Sequence, residues 1–345
     1  MRVFNSRTGS LVRQGILRGL TVSPVASLWS PFMGDRSFIL MFHRFSVSTD
    51  QHSAAVFRRI LRYLRQHRYP ILDLEVMIRG VLEGSPLPRR AVAITFDDGY
   101  ADQFEIALPL LAEFDAPATF FLTTGFTDGG LWMWWDQIEY LMTRTTKKQV
   151  ELKVGGETSR FDLASDVARL RSTESLTVSC KALVNGQLQS TIRGLAAAAE
   201  LDLPSGPPPD YLPMTWDQAR IAERFGMRFG PATVSHPILS RVDDPDAAYE
   251  ITHSWHRVQA ELSNPTPVFC FPNGKLGDFG PREIDLCARA GLLAAVTAEP
   301  GYVQRTTSTV PERPFTLPRF SGPDDLTELV RLSSGLQVLL SSIPR

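Results

Sequence analysis

The chain has 345 residues, 43% of them hydrophobic, and a formal net charge of -1. That length suits one large α/β domain with additions, and the near-neutral balance gives no reason to expect a nucleic-acid or anionic-surface partner. No apolar run is long enough to cross a bilayer, so no transmembrane segment is expected.

The first residues carry Arg2, Arg7, Arg13 and Arg18, but Arg18 and Pro24 interrupt any secretory core, which makes the cytoplasm the expected location. Ser10 to Leu20 is weakly amphipathic. It reads as a loosely held arm or as a peripheral contact with a membrane. Phe38 to His43, FILMFH, is an apolar run ending in a titratable residue. Phe57, Ile60, Leu61 and Leu64 then recur at helical spacing, and His52 and His67 flank that helix as solvated groups.

AVAITFDDGY, Ala91 to Tyr100, organises the chain. An uncharged strand stops abruptly at Asp97, Asp98 and Gly99, as strands do where they emerge at a functional rim. Asp-Asp-Gly alone also reads as an ordinary turn. A glycosidase pair is disfavoured, because those acids need roughly 5 Å or more between them across a bond. Neighbouring acids better suit one cation-binding and one proton-handling role.

Strand ATFFLT, Ala118 to Thr123, follows a helix, and the alternation predicts parallel βα units. From Gly125 to Pro213 the rhythm breaks. This stretch reads as an insertion with an aromatic helix (LWMWWDQIEYLM), a hairpin turning at Gly155-Gly156 and a proline-rich end. Trp132, Trp134 and Trp135 read as packing or as a sugar-stacking platform. Afterwards come a capping box at Thr215 and Gln218, a strand breaking up in VSHP, helices over 243–262 and 281–290, and strands over 266–271 and 292–298. Cys180, Cys270 and Cys287 read as buried free thiols. The expected fold is α/β, a distorted (β/α) barrel of about seven parallel strands with an inserted helical and hairpin segment. The expected domains are an arm over 1–35, the barrel over 36–321 including the insert 125–213, and a helical tail over 322–345.

ITFDDGY, VSHPILSRVDD, FCFPNG and LPRF, in this order, resemble the polysaccharide deacetylases of the NodB-homology type (carbohydrate esterase family 4). ILMFHRF and WWDQIEYL resemble a bacterial branch associated with surface-polysaccharide synthesis. The resemblance spans roughly residues 36 to 321. It implies a metal-dependent hydrolase that removes N-acetyl groups from a polysaccharide or sugar precursor, with a divalent metal, zinc, as cofactor. It assigns the general base to Asp97 and metal ligands to Asp98 and His236. The remaining ligand position is Ala232, which cannot coordinate, so an inactive, glycan-binding relative is the alternative. His253 and His256, three apart on a helix, read as surface or packing residues that could in principle chelate as replacement ligands. The usual arginine of the third motif falls at Cys270, and Arg319 is expected to supply its charge from the margin of the site. His43 is a candidate acid, a substrate contact or a capped structural histidine. Tyr100 and Pro272 are expected near the oxyanion or substrate. The oligomeric state is left open.

Overall fold

The computed structural model describes residues 28, 30–45, 53–183, 185–304 and 314–342. The arginines and amphipathic segment of the arm, together with His52, lie outside them. The chain divides into two compact units, one of residues 1–124 with 214–345 and the other of residues 125–213.

In the first unit, strands β1 (Phe38–Phe42), β2 (Val92–Phe96) and β3 (Thr119–Leu122) are buried along their whole length, as expected of a parallel sheet covered on both faces. The chain then supplies β6 (Arg228–Pro231), β7 (Val268–Cys270), β8 (Ala294–Val296) and β9 (Phe320–Ser321). Between β3 and β6 the chain forms two strands of the insert, β4 (Gln149–Val154) and β5 (Glu157–Asp162). Five strands pair in parallel in the order β6-β3-β2-β1-β9, and β7 pairs in parallel with β8. Backbone hydrogen bonds join the two groups. Thr266 N–H donates to the Phe229 carbonyl at 2.7 Å, and Leu317 N–H, just before β9, donates to Ala295 at 3.0 Å. The seven parallel strands therefore form a closed, distorted barrel.

Alternation along the strands sorts their side chains into two cores. Ile39, Ala93, Phe121, Ala232, Val268, Cys270, Ala294 and Val296 form one cluster with Leu74, Met77 and Ile78 of helix α2 (Leu74–Leu82). The other lies under the helices, where Phe57, Ile60, Leu61 and Leu64 of α1 (Ala54–Gln66) meet Phe42, Phe96 and Phe120. The partners Phe42, Phe96, Phe120 and Phe229 stack in a row across four strands, with neighbouring centroids 5.4, 4.9 and 5.3 Å apart. A slip of one residue would turn these rings to the other face, so the row fixes register. It thereby fixes His43 and Asp97, the next residues along, as neighbours.

A π-helical turn, Gln103–Ala107, leads into helix α3 (Leu108–Glu113). The later helices of this unit are α7 (Trp216–Arg224), with the expected capping box, α8 (Asp244–Glu261), α9 (Pro281–Arg289), α10 (Leu326–Ser333) and α11 (Leu336–Ser342).

The second unit holds helix α4 (Trp134–Arg144), the antiparallel hairpin β4 (Gln149–Val154) and β5 (Glu157–Asp162), and helices α5 (Asp166–Lys181) and α6 (Asn185–Ala199) around its own core. Gly155 and Gly156 both have positive φ, which the hairpin turn requires. Trp132 is buried beside Tyr140 and Tyr211, as packing requires. All three cysteines are free and buried. No helix of the described residues is long and apolar enough to cross a membrane.

Candidate active site

The chain turns sharply at the end of β2. Asp98 has φ +75° and Gly99 +85°, and a left-handed non-glycine residue is the sort of strain that collects at functional sites. Asp97 and Asp98 are both buried. They face different partners, which separates their chemistry.

Asp97 is gripped by Arg319. Nη1 donates to Oδ1 at 2.7 Å and Nη2 to Oδ2 at 2.8 Å, the bidentate geometry that a planar guanidinium allows. Arg319 is 1% exposed. It therefore sits beneath the acid and not at the margin of the site as the sequence suggested, because the lead into β9 forms part of the barrel wall. Its Nε donates to the Thr297 carbonyl at 2.8 Å, Nη1 also donates to Thr95 Oγ1 at 3.1 Å, and Nη2 lies 3.2 Å from Cys270 Sγ. Burial, the largest influence, works against the guanidinium charge, but Asp97 and Cys270 together outweigh it and raise the Arg319 pKa. Burial pushes the Cys270 thiol well above its ordinary range. The Cys270 thiol and the Arg319 guanidinium therefore lie side by side next to Asp97, with the positive charge on Arg319. His43, half exposed at the end of β1, places Nε2 3.8 Å from Asp97 Oδ2.

Asp98 pairs with His236 instead, Oδ1 to Nε2 at 3.4 Å. Burial, the largest influence, would raise the Asp98 pKa. The His236 hydrogen bond and the charges of His236, His43 and Arg319 together hold it below the ordinary value.

The loop carrying His236 has left-handed residues at both Thr233 and His236. It is held from α8, where Glu250 accepts from Val234 N–H at 2.7 Å, from Ser235 N–H at 2.9 Å and from the Ser235 hydroxyl. Nothing in the sequence marks Glu250, an ordinary acid on a long helix. Asp102 and Gln103, which touch the His43 segment, likewise carry no mark in the sequence. Pro272 is buried two residues beyond Cys270, and Tyr100 is buried just after Gly99.

A catalytic zinc takes three protein ligands and keeps one open position. Asp98 and His236 would supply two of them, and Ala232 is packed into the apolar cluster with Ile39 and Phe121. His253 stacks on Tyr249 and His256 is exposed, both on α8. Among the described residues, no group of three or more His, Cys, Asp or Glu is arranged to hold a metal ion. The donor set therefore does not fit a three-ligand zinc centre. A hollow of about 510 Å³ lies elsewhere, lined by Asp73, Glu75, Arg79 and Arg228 among others, and contains none of these site residues.

Residues 84–154 match the sequence model of the family described as polysaccharide deacetylase. No curated protein matches by sequence. Among solved structures, the chain is similar to the Streptococcus pyogenes deacetylase PplD in complex with acetate, at 18% identity and TM-score 0.55, over 90% of this chain and 99% of that one. It is also similar to IcaB from Ammonifex degensii, at 16% identity and TM-score 0.53, over 88% and 98% of the two chains. The deacetylase domain of BpsB from Bordetella bronchiseptica matches at 16% identity and TM-score 0.51, over 84% and 96%. This chain therefore has the fold of the solved polysaccharide deacetylases, and its segment from residue 84 to 154 matches the sequence model of that family.

Proposed function

We propose that the chain binds an N-acetylated glycan or sugar precursor at this site and is a polysaccharide deacetylase whose hydrolytic step is slowed by Ala232. The observation that carries this reading is the clamped base: a buried carboxylate oriented by a buried guanidinium, with an imidazole 3.8 Å away. In the reaction, Asp97 removes a proton from water as its oxygen bonds to the N-acetyl carbonyl carbon. The backbone N–H of Tyr100 supports the oxyanion, Pro272 borders the sugar, and His43 returns a proton to the nitrogen. The C–N bond breaks to give acetate and an amine. Losing one stabiliser of such an oxyanion costs about 100- to 1000-fold in rate, so turnover here is expected to be slow. The domain doing this spans residues 36–321, with 125–213 inserted and 322–345 as a tail. A role in surface-polysaccharide synthesis follows from the same reading.

Ala232 favours one second reading, a glycan-binding protein without turnover. Acetate release from N-acetylglucosamine oligomers, measured beside their equilibrium binding, decides between the two. Binding with slow release that Asp97→Asn abolishes supports the deacetylase. Binding without release supports the second reading, and neither binding nor release sinks both.

A further inference from the structure

The segment that carries His43 is pinned residue by residue to the turn after Asp-Asp-Gly-Tyr. Phe45 N–H donates to Asp102 Oδ2 at 2.7 Å. The Arg44 guanidinium lies over the Tyr100 ring, 5.7 Å from its centroid. The Gln103 amide donates to the Asp97 carbonyl at 2.6 Å and reaches the His43 carbonyl at 3.5 Å. Gln103 is fully buried and opens the π-helical turn. Such turns are rare and frequently mark functional sites. The β-ladder alone does not explain these contacts, since β1 ends at Phe42 and its last tie to β2 is Asp97 N–H to the Phe42 carbonyl at 2.9 Å. Among the described residues beyond that point, His43 to Phe45 pair with no strand, and the side chains of Asp102 and Gln103 hold them.

We propose that Asp102 and Gln103 are positioning residues: they hold the His43 segment against β2 so that the imidazole stands beside Asp97. Asp102 fixes the far side of Arg44 through the Phe45 amide. Gln103 fixes the near side and ties His43 to the backbone of Asp97 itself. A buried amide donor shared by the two strand ends couples their positions, because moving either one leaves that donor unsatisfied. The inference rests on His43 acting at the site, and it concerns placement and not the chemical step.

Amide hydrogen exchange and the His43 imidazole ¹⁵N signal, recorded on the full chain, test this without requiring turnover. Asp102→Ala removes the acceptor, and Asp102→Asn keeps an acceptor oxygen at nearly the same shape. Losing one hydrogen bond of ordinary strength should speed exchange of the Phe45 amide about 10-fold in Asp102→Ala. The His43 Nε2 resonance should shift in the same variant, Asp102→Asn should restore both signals, and amides of β3 should not change. Gln103→Ala should move the His43 resonance by a second route. If Asp102→Ala and Gln103→Ala both fold and leave the His43 resonance where it was, the proposal is overturned. Failure of the wild-type chain to bind or deacetylate glycan would instead overturn the functional reading, while these signals still report placement.

Discussion

Arg319 and Asp97 form a two-pronged ion pair that is almost entirely removed from solvent, with contacts of 2.7 and 2.8 Å. Breaking a pair of this kind by removing one partner strands a charge in the interior. Arg319→Met should therefore destabilise the fold by about 3–5 kcal/mol, read as a lower midpoint in urea unfolding. Arg319→Lys keeps the charge but not the fork, and should recover only part of the loss. A neutral result for Arg319→Met would mean that the pair's attraction does no more than offset the cost of burying its charges.

The depth of Arg319 was not legible in the sequence. A lone arginine after Leu-Pro looks like a rim residue, and only closure of the barrel by β9 puts it underneath Asp97. Strand ends were legible, because uninterrupted apolar runs such as VAITF stop at abrupt polar boundaries and those runs are buried on both faces. The insert's α5 was not, for a physical reason. Val167, Leu170 and Val178 are exposed while Leu176 and Cys180 are buried, so its apolar residues mark no single face. Asp98 and His236 stood out as motif residues, whereas Glu250, Asp102 and Gln103 act through contacts between distant segments that local sequence does not announce.

Asp102 should leave a mark on stability against pH. Burial, the largest influence, lifts its pKa from 3.8 to about 6, against the Phe45 N–H and Arg44, which lower it, while Glu105 adds to the rise. Between those values the folded state holds a proton that the unfolded state has released, so stability falls as pH rises through this window. At about 1.4 kcal/mol per pH unit, the loss is at most about 3 kcal/mol, complete above about pH 6. Asp102→Asn should remove that slope when unfolding free energies are compared across pH 4 to 7. An unchanged slope in the variant would assign it to another group.

Gly230 sits where β6 meets β7. A Cβ there would lie 2.5 Å from the Val268 carbonyl oxygen and 3.0 Å from the Phe121 ring. Backbone cannot move aside as a flexible side chain can. Gly230→Ala should cost about 1–3 kcal/mol by forcing apart the strands that close the barrel. Gly206→Ala, where no neighbouring atom lies within 4 Å of the added carbon, serves as the control and should change stability by less than about 0.5 kcal/mol. Equal effects of the two substitutions would show that closure at β6 and β7 is loose.

Ala232→His tests whether the missing donor is what limits this site. Asp98 and His236 already stand 3.4 Å apart, and Glu250 holds the loop between positions 232 and 236 by its own hydrogen bonds. A third donor therefore enters a frame that does not depend on metal for its shape. The imidazole must displace neighbours in the apolar cluster around Ala232, so the variant is expected to lose some stability without zinc. With zinc at about 100 times its dissociation constant, binding to the folded state alone should return about 2.7 kcal/mol, seen as a raised Tm. The natural chain should show no such rise, and acetate release should increase only in the variant, because the gain in metal and the gain in rate have one cause. If zinc raises the Tm of both chains equally, a residue other than position 232 completes the donor set. If the variant binds zinc tightly but releases acetate no faster than the natural chain, the slow step lies elsewhere, and Asp97 or His43 becomes the place to look.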